Sequence, residues 1–308
     1  MKNIKYVKLI TGSILFQSLL LTGCSSDSID SDISCYGKGV TMSGSLPDAG
    51  TRASGNKWNA NDKIGVFVSG RKNMPYLLSE GNGSFYGNFD YAGTDSGFDT
   101  DGNAATTYSY QAYYPYIGSE GSDVSESFDS SIQTSVKDYL AASVNESGDN
   151  KLISFQFSHL LSKLILVIQT QFEITDFRSS TFSLSGLKWN GSFTANASGA
   201  SVNASGNIAN NKEIPQWALS NNGKNRRTYE LLLPPQTPTG GKLTLNVDNV
   251  TQGLRTVNYQ GEFPLSNLEK GKVYTVTLTL TGDGIMLHGN QISDWTKIAD
   301  SNVTLEVQ

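Results

Sequence analysis

The strongest structural signal in the chain is the stretch Leu164-Ile165-Leu166-Val167-Ile168, which is apolar at every position. A strand with one face in water alternates apolar and polar residues, because successive side chains point to opposite faces of the sheet. An unbroken apolar run of this length predicts a strand that is covered on both faces. We therefore expect this stretch to lie in the middle of a β-sandwich.

Segments with strict alternation flank this stretch on both sides. In each of them every second residue is apolar or aromatic: Ile64, Val66 and Val68; Tyr108, Tyr110, Ala112 and Tyr114; Ile153, Phe155 and Phe157; Tyr229, Leu231 and Leu233; Leu243, Leu245 and Val247; Tyr274, Val276, Leu278 and Leu280. Such segments are typical of half-buried strands. The 31 glycines and the low charged fraction of 17% fit tight turns between strands. The sequence thus predicts an all-β fold of sandwiches or barrels.

The length of the chain suggests one large or two ordinary domains. The best place for a boundary follows the apolar stretch, between Phe172 and Ser179. We expect an N-terminal β-sandwich domain at residues 53–174 and a C-terminal β-sandwich domain at residues 175–308.

Two segments are predicted to be exposed loops. Residues 118–131 are rich in serine and acidic residues, and residues 196–211 carry the tetrapeptide Asn-Ala-Ser-Gly twice. Two copies of four residues are too few for a solenoid repeat. Short helical turns are predicted at residues 158–163 and 266–269, the second from the capping pattern of Ser266 and Glu269.

The first residues have the layout of an export signal. Three lysines precede an apolar stretch, Leu9 to Leu21, that is too short to remain as a membrane span. The stretch ends in Leu21-Thr22-Gly23-Cys24, which resembles the lipobox of bacterial lipoproteins. The resemblance implies a signal peptide at residues 1–23, cleavage before Cys24 and a diacylglycerol on its sulfur. The alternative is an ordinary signal peptide or a core helix with a chance cysteine.

Residues 24–52 are predicted to form a polar tether between the anchor and the first domain. Ser25 to Asp32 is polar and acidic and has too little apolar surface to fold alone. It resembles an export signal for surface lipoproteins, or is a plain spacer. If Cys24 carries lipid, Cys35 has no partner and a structural disulfide is excluded; a bridge between the two is the alternative.

The charge balance argues against nucleic acid as a partner. Removal of the leader takes away three lysines from the 23 basic residues and leaves 20 against 28 acidic residues, a net charge of −8. No basic cluster remains that would bind nucleic acid or an anionic lipid surface.

Side chains for catalysis and for metal binding are scarce. His159 and His288 are the only histidines, and no Gly-x-Ser-x-Gly motif accompanies them. We therefore expect no enzyme and no cofactor. His159 is expected to pack at the start of a strand, and His288 to lie in a turn.

Two further features leave a binding role open. Asp99 to Asn103 resembles the start of a calcium loop, but the sixth and twelfth positions of an EF-hand are here Ala104 and Tyr110, so an Asp-Gly turn is the preferred interpretation. Trp189 and Trp217 stand beside polar residues and are the candidates for a ligand-facing role.

Four short segments, each of which occurs once, follow one another along the chain in a characteristic order. They are Thr51-Arg52-Ala53 followed by Trp58 to Val66, then Phe157 to Leu164, then Leu268 to Tyr274, and last Ile292-Ser293-Asp294-Trp295. Together with the lipobox they resemble the fimbrillin family, the lipoprotein-derived pilus subunits of anaerobic Gram-negative bacteria. Residues 70–150 and 175–250 match no pattern of the family, so the resemblance is to a scaffold.

The resemblance implies two β-sandwich domains of transthyretin-like topology and assembly by strand exchange. In the family a protease cuts at an arginine, the first strand leaves with the lipid, and a C-terminal strand of the next subunit fills the groove. The resemblance thus implies a removable first strand within residues 24–52, for which Val40 and Met42 offer apolar positions. Arg52 matches the family's arginine, so processing is expected between Arg52 and Ala53; the alternative is a solvated arginine in a linker. The donor candidates are Val303, Leu305 and Val307, which alternate near the C-terminus; the alternative is that they pair within their own domain.

The expected function is that of a structural and adhesive subunit of a surface fimbrium. Its expected partners are other pilus subunits, the outer membrane through the lipid before processing, and a host or bacterial surface ligand. The alternative is a lipid-anchored surface protein that binds a glycan or host ligand and does not polymerise. A secreted hydrolase is disfavoured because no acid, base or nucleophile can be assembled from these residues.

Overall fold

Strands account for most of the chain in the part that the structure describes. This computed structural model describes residues 39–47, 57–173, 175–265, 267–282 and 284–295, which belong to one compact unit. The elements, in chain order, are β1 (Thr41–Ser45), β2 (Lys63–Val68), β3 (Arg71–Glu80), β4 (Tyr86–Tyr91), β5 (Thr107–Tyr114), β6 (Val124–Asp129), β7 (Leu140–Ser147), β8 (Leu152–Gln156), β9 (Ser158–His159), β10 (Ser162–Thr170), β11 (Thr175–Asp176), β12 (Thr181–Ser185), β13 (Asn190–Asn196), β14 (Gly199–Ser205), β15 (Lys212–Glu213), β16 (Leu219–Asn222), β17 (Arg226–Leu233), β18 (Lys242–Gln252), β19 (Arg255–Pro264), β20 (Lys272–Thr281) and β21 (Gly284–Asp294), with 3-10 turns at Gln216–Ala218 and Thr239–Gly241. Within these ranges no helix is long and apolar enough to cross a membrane.

The N-terminal strands form an eight-stranded sheet in the spatial order β8-β1-β4-β3-β2-β5-β7-β9. Neighbours are antiparallel except β1 and β8, which are parallel. Strands β7 and β8, near opposite ends of this order, also contact each other, so the sheet folds back around one core. The core takes the inward side chains of these strands, among them Met42, Ile64, Val66, Met74, Tyr76, Phe89, Tyr110, Ile153 and Phe155.

Two five-stranded sheets make a sandwich in the C-terminal half. One has the order β16-β17-β10-β20-β21, and the other has the order β11-β18-β12-β15 with β19 paired to β18. Leu164, Leu166 and Ile168 of β10 face the core between these sheets. Ile165 on the opposite face of β10 packs against a separate cluster. The prediction of a central strand covered on both faces is confirmed.

Strand β6 and the hairpin of β13 and β14 form a fourth sheet in the order β14-β13-β6. This sheet pairs a strand of the N-terminal half with a hairpin of the C-terminal half. Exposed loops were predicted at residues 118–131 and 196–211, and this prediction is wrong for the parts of them that form β6 and β14. Val124 and Phe128 of β6 are buried and pack in a cluster with Phe193 of β13, so the alternation of a half-buried strand is present.

The repeated tetrapeptide has a structural role in this hairpin. Its first copy, residues 196–199, makes the turn between β13 and β14, where Asn196 Oδ1 accepts a hydrogen bond from the amide of Ser198 at 2.7 Å. Gly199 has a φ of +119°, a value that side chains disfavour. The second copy, residues 203–206, supplies the last residues of β14, and Gly206 follows the end of the strand.

A third hydrophobic cluster lies between the eight-stranded sheet and the C-terminal sandwich. It combines Phe67 and Tyr113 of the former with Val273 of the latter, and Tyr139 stacks on Phe193 with ring centroids 4.5 Å apart. The domain boundary near residue 174 stays a prediction. Strand β10, which the prediction assigned to the N-terminal domain 53–174, pairs with β17 and β20 of the C-terminal sandwich.

Three local predictions are wrong or lie partly outside the described residues. Residues 158–163 form β9 and the start of β10, not a helical turn. Leu268 forms an isolated bridge with Gln236, while Ser266 lies outside the described residues. His288 is not a turn residue, because it lies within β21 at a register shift opposite β20.

Candidate functional site

Strand β1 occupies an interior position of the eight-stranded sheet, between β4 and β8. On the β8 side the amide of Thr41 donates to the carbonyl of Lys151 at 2.8 Å. On the β4 side the amide of Leu46 donates to the carbonyl of Phe85 at 2.9 Å. Removal of β1 would therefore expose two rows of unpaired backbone groups, which is the surface that accepts another strand. We call the position between β4 and β8 the β1 groove.

The side chains of β1 and of the residues on either side of it that point into the groove are apolar. Val40, Met42 and Leu46 are buried, and Met42 is fully enclosed opposite Phe89 of β4 and Ile153 of β8. Burial of such a side chain stabilises the folded state by about 1.5–3 kcal/mol. The groove is therefore both a hydrogen-bonding site and a hydrophobic site.

Gly44 lets an aromatic cluster approach the backbone of β1. A Cβ atom at this position would lie 2.9 Å from Cε2 of Phe157 and 3.3 Å from Cε2 of Phe89. The carbonyl oxygen of Gly44 accepts a hydrogen bond from Nε1 of the fully buried Trp58 at 3.1 Å. Trp58 in turn packs edge-on against the rings of Phe89, Phe157 and Tyr114. The floor of the groove is thus built by Trp58 and its aromatic neighbours.

A cavity of about 300 Å³ lies at the C-terminal end of β1. Its apolar lining includes Leu46, Pro47 and Trp58, and its polar lining includes Asp138 and His159. The cavity places the end of the β1 groove next to the only buried histidine among the described residues.

His159 is held by a carboxylate and by an aromatic ring. Its Nδ1 lies 2.8 Å from Oδ1 of Asp138, and its ring stacks on Trp295 with centroids 3.8 Å apart at 9°. Nε2 has no hydrogen-bond partner among the described residues. The residue is only 3% exposed. The prediction that it packs at the start of a strand is confirmed.

A polar cluster ties the segment after β4 to β3. Arg71 Nη2 lies 2.5 Å from Oδ2 of Asp95, and the hydroxyl of Tyr91 donates to Asp95 Oδ1 at 2.7 Å. The same hydroxyl also lies within hydrogen-bonding distance of Oε1 of Glu120. The hydrogen bond from Arg71, together with that from Tyr91, holds the pKa of Asp95 at about 2. Both carboxylates are therefore engaged in fixing loops.

The Asp99 to Asn103 segment forms a turn through its own side chains. Asp101 Oδ1 accepts the amide of Asn103 at 3.0 Å, and its Oδ2 accepts the hydroxyl of Thr106 at 2.7 Å. Asp99 pairs with Lys151. Gly102 has a φ of +74°, so the preferred interpretation of an Asp-Gly turn is confirmed. In the part of the chain described, no group of three or more His, Cys, Asp and Glu side chains is arranged to hold a metal ion.

The two candidate tryptophans differ in exposure. Trp189 is buried in the C-terminal core, so its predicted ligand-facing role is wrong. Trp217 is half-buried and its Nε1 donates to the carbonyl of Ser131 at 3.0 Å. A ligand-facing role for Trp217 stays a prediction.

The residues predicted for lipidation, processing and strand donation lie outside the described residues; they are Cys24, Arg52, Ala53, Val303, Leu305 and Val307. Cys35 also lies outside the described residues. The strand predicted at Val40 and Met42 is present as β1. The sequence does not identify Gly44 and Trp58 as parts of this site, because alternation within one strand does not show which aromatic residue packs beneath it.

The fold and site define an all-β sandwich protein in which a strand near the N-terminus is built into the middle of a sheet. The family model described as fimbrillin-like matches residues 51–295. This match covers most of the chain, and the protein belongs to the fimbrillin-like family.

Individual proteins agree with this assignment. The chain is 25% identical over 297 residues to the proposed fimbrium subunit Fim1C of Bacteroides uniformis. The alignment covers 92% of this chain and 93% of the relative. It is similar in fold to a crystal structure described as a cell adhesion protein of Bacteroides ovatus, with 22% identity, a TM-score of 0.64 and coverage of 85% of this chain and 99% of the other. A second such structure, from Bacteroides uniformis, has 19% identity, a TM-score of 0.62 and coverage of 83% and 98%.

Proposed function

We infer that this protein is a structural subunit of a surface fimbrium and acts in cell adhesion. Its membership of the fimbrillin-like family supports this function, as does the relative that is named as a fimbrium subunit and aligns along nearly the whole chain. The family is one of structural subunits and not of enzymes, and other pilus subunits are the expected partners.

The subunit is assembled by exchange of the strand in the β1 groove. The observation that carries this proposal is the interior position of β1, which lies upstream of Arg52 in the chain. Cleavage between Arg52 and Ala53 would cut the covalent link between β1 and the rest of the subunit. The strand would then be held by hydrogen bonds and apolar contacts alone, and a strand from another subunit could replace it.

An emptied β1 groove would bind a strand strongly. It would expose the backbone edges of β4 and β8 together with the pockets of Val40, Met42 and Leu46. Backbone hydrogen bonds give affinity in strand addition, and pockets for alternate side chains give specificity. The donor in this proposal is the segment with Val303, Leu305 and Val307 from a neighbouring subunit.

Before processing, the precursor is held at the outer membrane by lipid on Cys24. Each buried methylene of the acyl chains contributes about 0.8 kcal/mol, and several chains on one cysteine give stable anchoring. Because β1 and Cys24 lie on the same side of Arg52, the cut would also release the subunit from its lipid.

The N-terminus and intact mass of the protein recovered from its native cell surface test this route. The wild-type protein should start at Ala53, carry no lipid and form ladders on mild gels. The variant Arg52→Ala should start at a lipidated Cys24 and form no ladders. The matched control Lys57→Ala, which alters the next basic residue, should behave like the wild type.

A lipidated Cys24 on the wild-type protein, without ladders, would contradict the assembly route. That result would favour an anchored surface protein that binds a ligand without polymerising. It would leave the family and the fold unchanged.

A further inference from the structure

The β1 strand and the predicted donor share a short sequence. β1 and its flank read Val40-Thr41-Met42, and the C-terminal segment reads Val303-Thr304-Leu305. In β1 the valine and the methionine point into the groove and the threonine is exposed. The same three roles can be filled by the corresponding donor residues without a change in the direction of the chain.

We propose, on the basis of the strand exchange proposed above, that the donor enters the groove of a second copy in the direction of β1. Val303 takes the place of Val40, and Leu305 takes the place of Met42. Glu306 then takes the place of Ser43 on the outer face, and Val307 the place of Gly44. The donor runs parallel to β8 and antiparallel to β4, as β1 does.

Side-chain alternation limits the alternatives. A shift of the donor by one residue would turn every apolar side chain out of the groove and every polar one into it. Only shifts by two residues or a reversal of direction keep Val303, Leu305 and Val307 inside. A shift by two residues toward Pro47 would place Leu305 at Gly44, where the rings of Phe157 and Phe89 crowd leucine more than valine, and would put Ser301 in the place of Val40.

The hydrogen bond of Trp58 argues for the direction. Its buried Nε1 requires an acceptor, which β1 supplies as the carbonyl of Gly44. Along a strand, backbone carbonyls point alternately to the two neighbouring strands. A donor in the same direction keeps a carbonyl, that of Val307, on the side of Trp58. A reversed donor with the same side chains inward would point the carbonyl at this position to the opposite neighbour.

The proposed alignment has one structural consequence at Gly44. Valine at this position would place a Cβ atom 2.9 Å from Cε2 of Phe157 if that ring kept the orientation that it has while β1 occupies the groove. The nearest atoms are the outer edges of two phenyl rings, so a ring rotation and not a backbone shift makes the room. Phe157 should therefore differ in orientation between the precursor and the polymer.

Paired cysteines test the alignment in the full chain, expressed in the native host with Cys35→Ser as the background. Ser43 lies opposite Asn88 of β4, so Glu306→Cys combined with Asn88→Cys should form a disulfide between neighbouring subunits. Ladders that resist SDS and collapse on reduction are the expected result. The Glu306→Cys variant alone should give no such ladders.

Two matched acceptor variants report the other alignments. Ser45 lies opposite Tyr86, and Thr41 lies opposite Leu152 of β8. Disulfide-linked ladders with Tyr86→Cys in place of Asn88→Cys would show a shift toward Pro47. Ladders with Leu152→Cys would show a reversed donor or a shift the other way. Either result would overturn the alignment while the ladders on mild gels leave strand exchange standing. Absence of ladders on mild gels would overturn both proposals.

Discussion

The contribution of β1 to the core can be measured with the substitution Met42→Ala. Met42 is fully buried between Phe89 and Ile153, on the neighbouring strands β4 and β8. Truncation of such a side chain loses its transfer free energy and leaves a cavity, which together cost about 2–5 kcal/mol. We expect a loss of about 3 kcal/mol in the free energy of unfolding. For a protein of this size that corresponds to a fall in Tm of roughly 6–12 °C.

The matched control is Thr41→Ala in the same strand. Thr41 is exposed, so its substitution should change the free energy of unfolding by no more than about 0.5 kcal/mol. Equilibrium unfolding in urea of both full-length variants gives the comparison. Equal stability of the two variants would refute the reasoning, because it would mean that β1 rests on the sheet without forming part of its core.

Two further predictions concern buried tyrosines. Tyr110→Phe should stabilise the protein by about 1 kcal/mol, because the Tyr110 hydroxyl is buried without a partner in the described part of the chain. Tyr113→Phe should destabilise the protein by about 1–3 kcal/mol. The Tyr113 hydroxyl donates to Asn73 Oδ1 at 2.6 Å and accepts from the amide of Ile117 at 3.0 Å. Urea unfolding at pH 7 measures both, and the opposite ranking would contradict the assignment. Burial raises the pKa of Tyr110 to about 12, above the value near 10 of a free tyrosine. Between these two values the folded state keeps a proton that the unfolded state loses. The free energy of unfolding should therefore fall as the pH rises from about 10 to 12. Denaturation at pH 8 and pH 11 should show this fall, and Tyr110→Phe should make it shallower.

Strands were predictable from the sequence where their own side chains carry the signal. Leu164 to Ile168 is apolar on both faces because β10 lies between two hydrophobic clusters, and the sequence shows this directly. The pairing of each strand with its neighbours was not predictable, because alternation with a period of two residues does not show which strand lies beside it in the sheet. The pairing of β6 with β13 across the two halves of the chain is the clearest example.

Polar composition concealed two strands. In β6, Val124 and Phe128 are separated by serine and glutamate, and β14 has only Val202 as a large apolar residue. The serine and acidic residues around β6 predict a loop, and the repeated Asn-Ala-Ser-Gly tetrapeptide predicts another at β14. Tertiary packing against Phe193 and its neighbours overrides that local preference. The β1 groove was predictable only in part, since Val40 and Met42 indicate a strand but not its place between β4 and β8.

The energetics of the β1 groove give the proposed cleavage a directing role. While Arg52 is intact, β1 is tethered to its own groove, and such a tether acts as a high local concentration of the strand, in the millimolar range for short flexible links. A donor from another subunit competes poorly against it. Once the link is cut, that advantage is lost and the two strands compete on their contacts. β1 brings glycine to the position of Gly44, whereas the proposed donor brings Val307, whose β-branched side chain favours a strand but requires the Phe157 ring to rotate. The cut therefore does not create the affinity of the groove for a strand; it removes the entropic preference for the one already there.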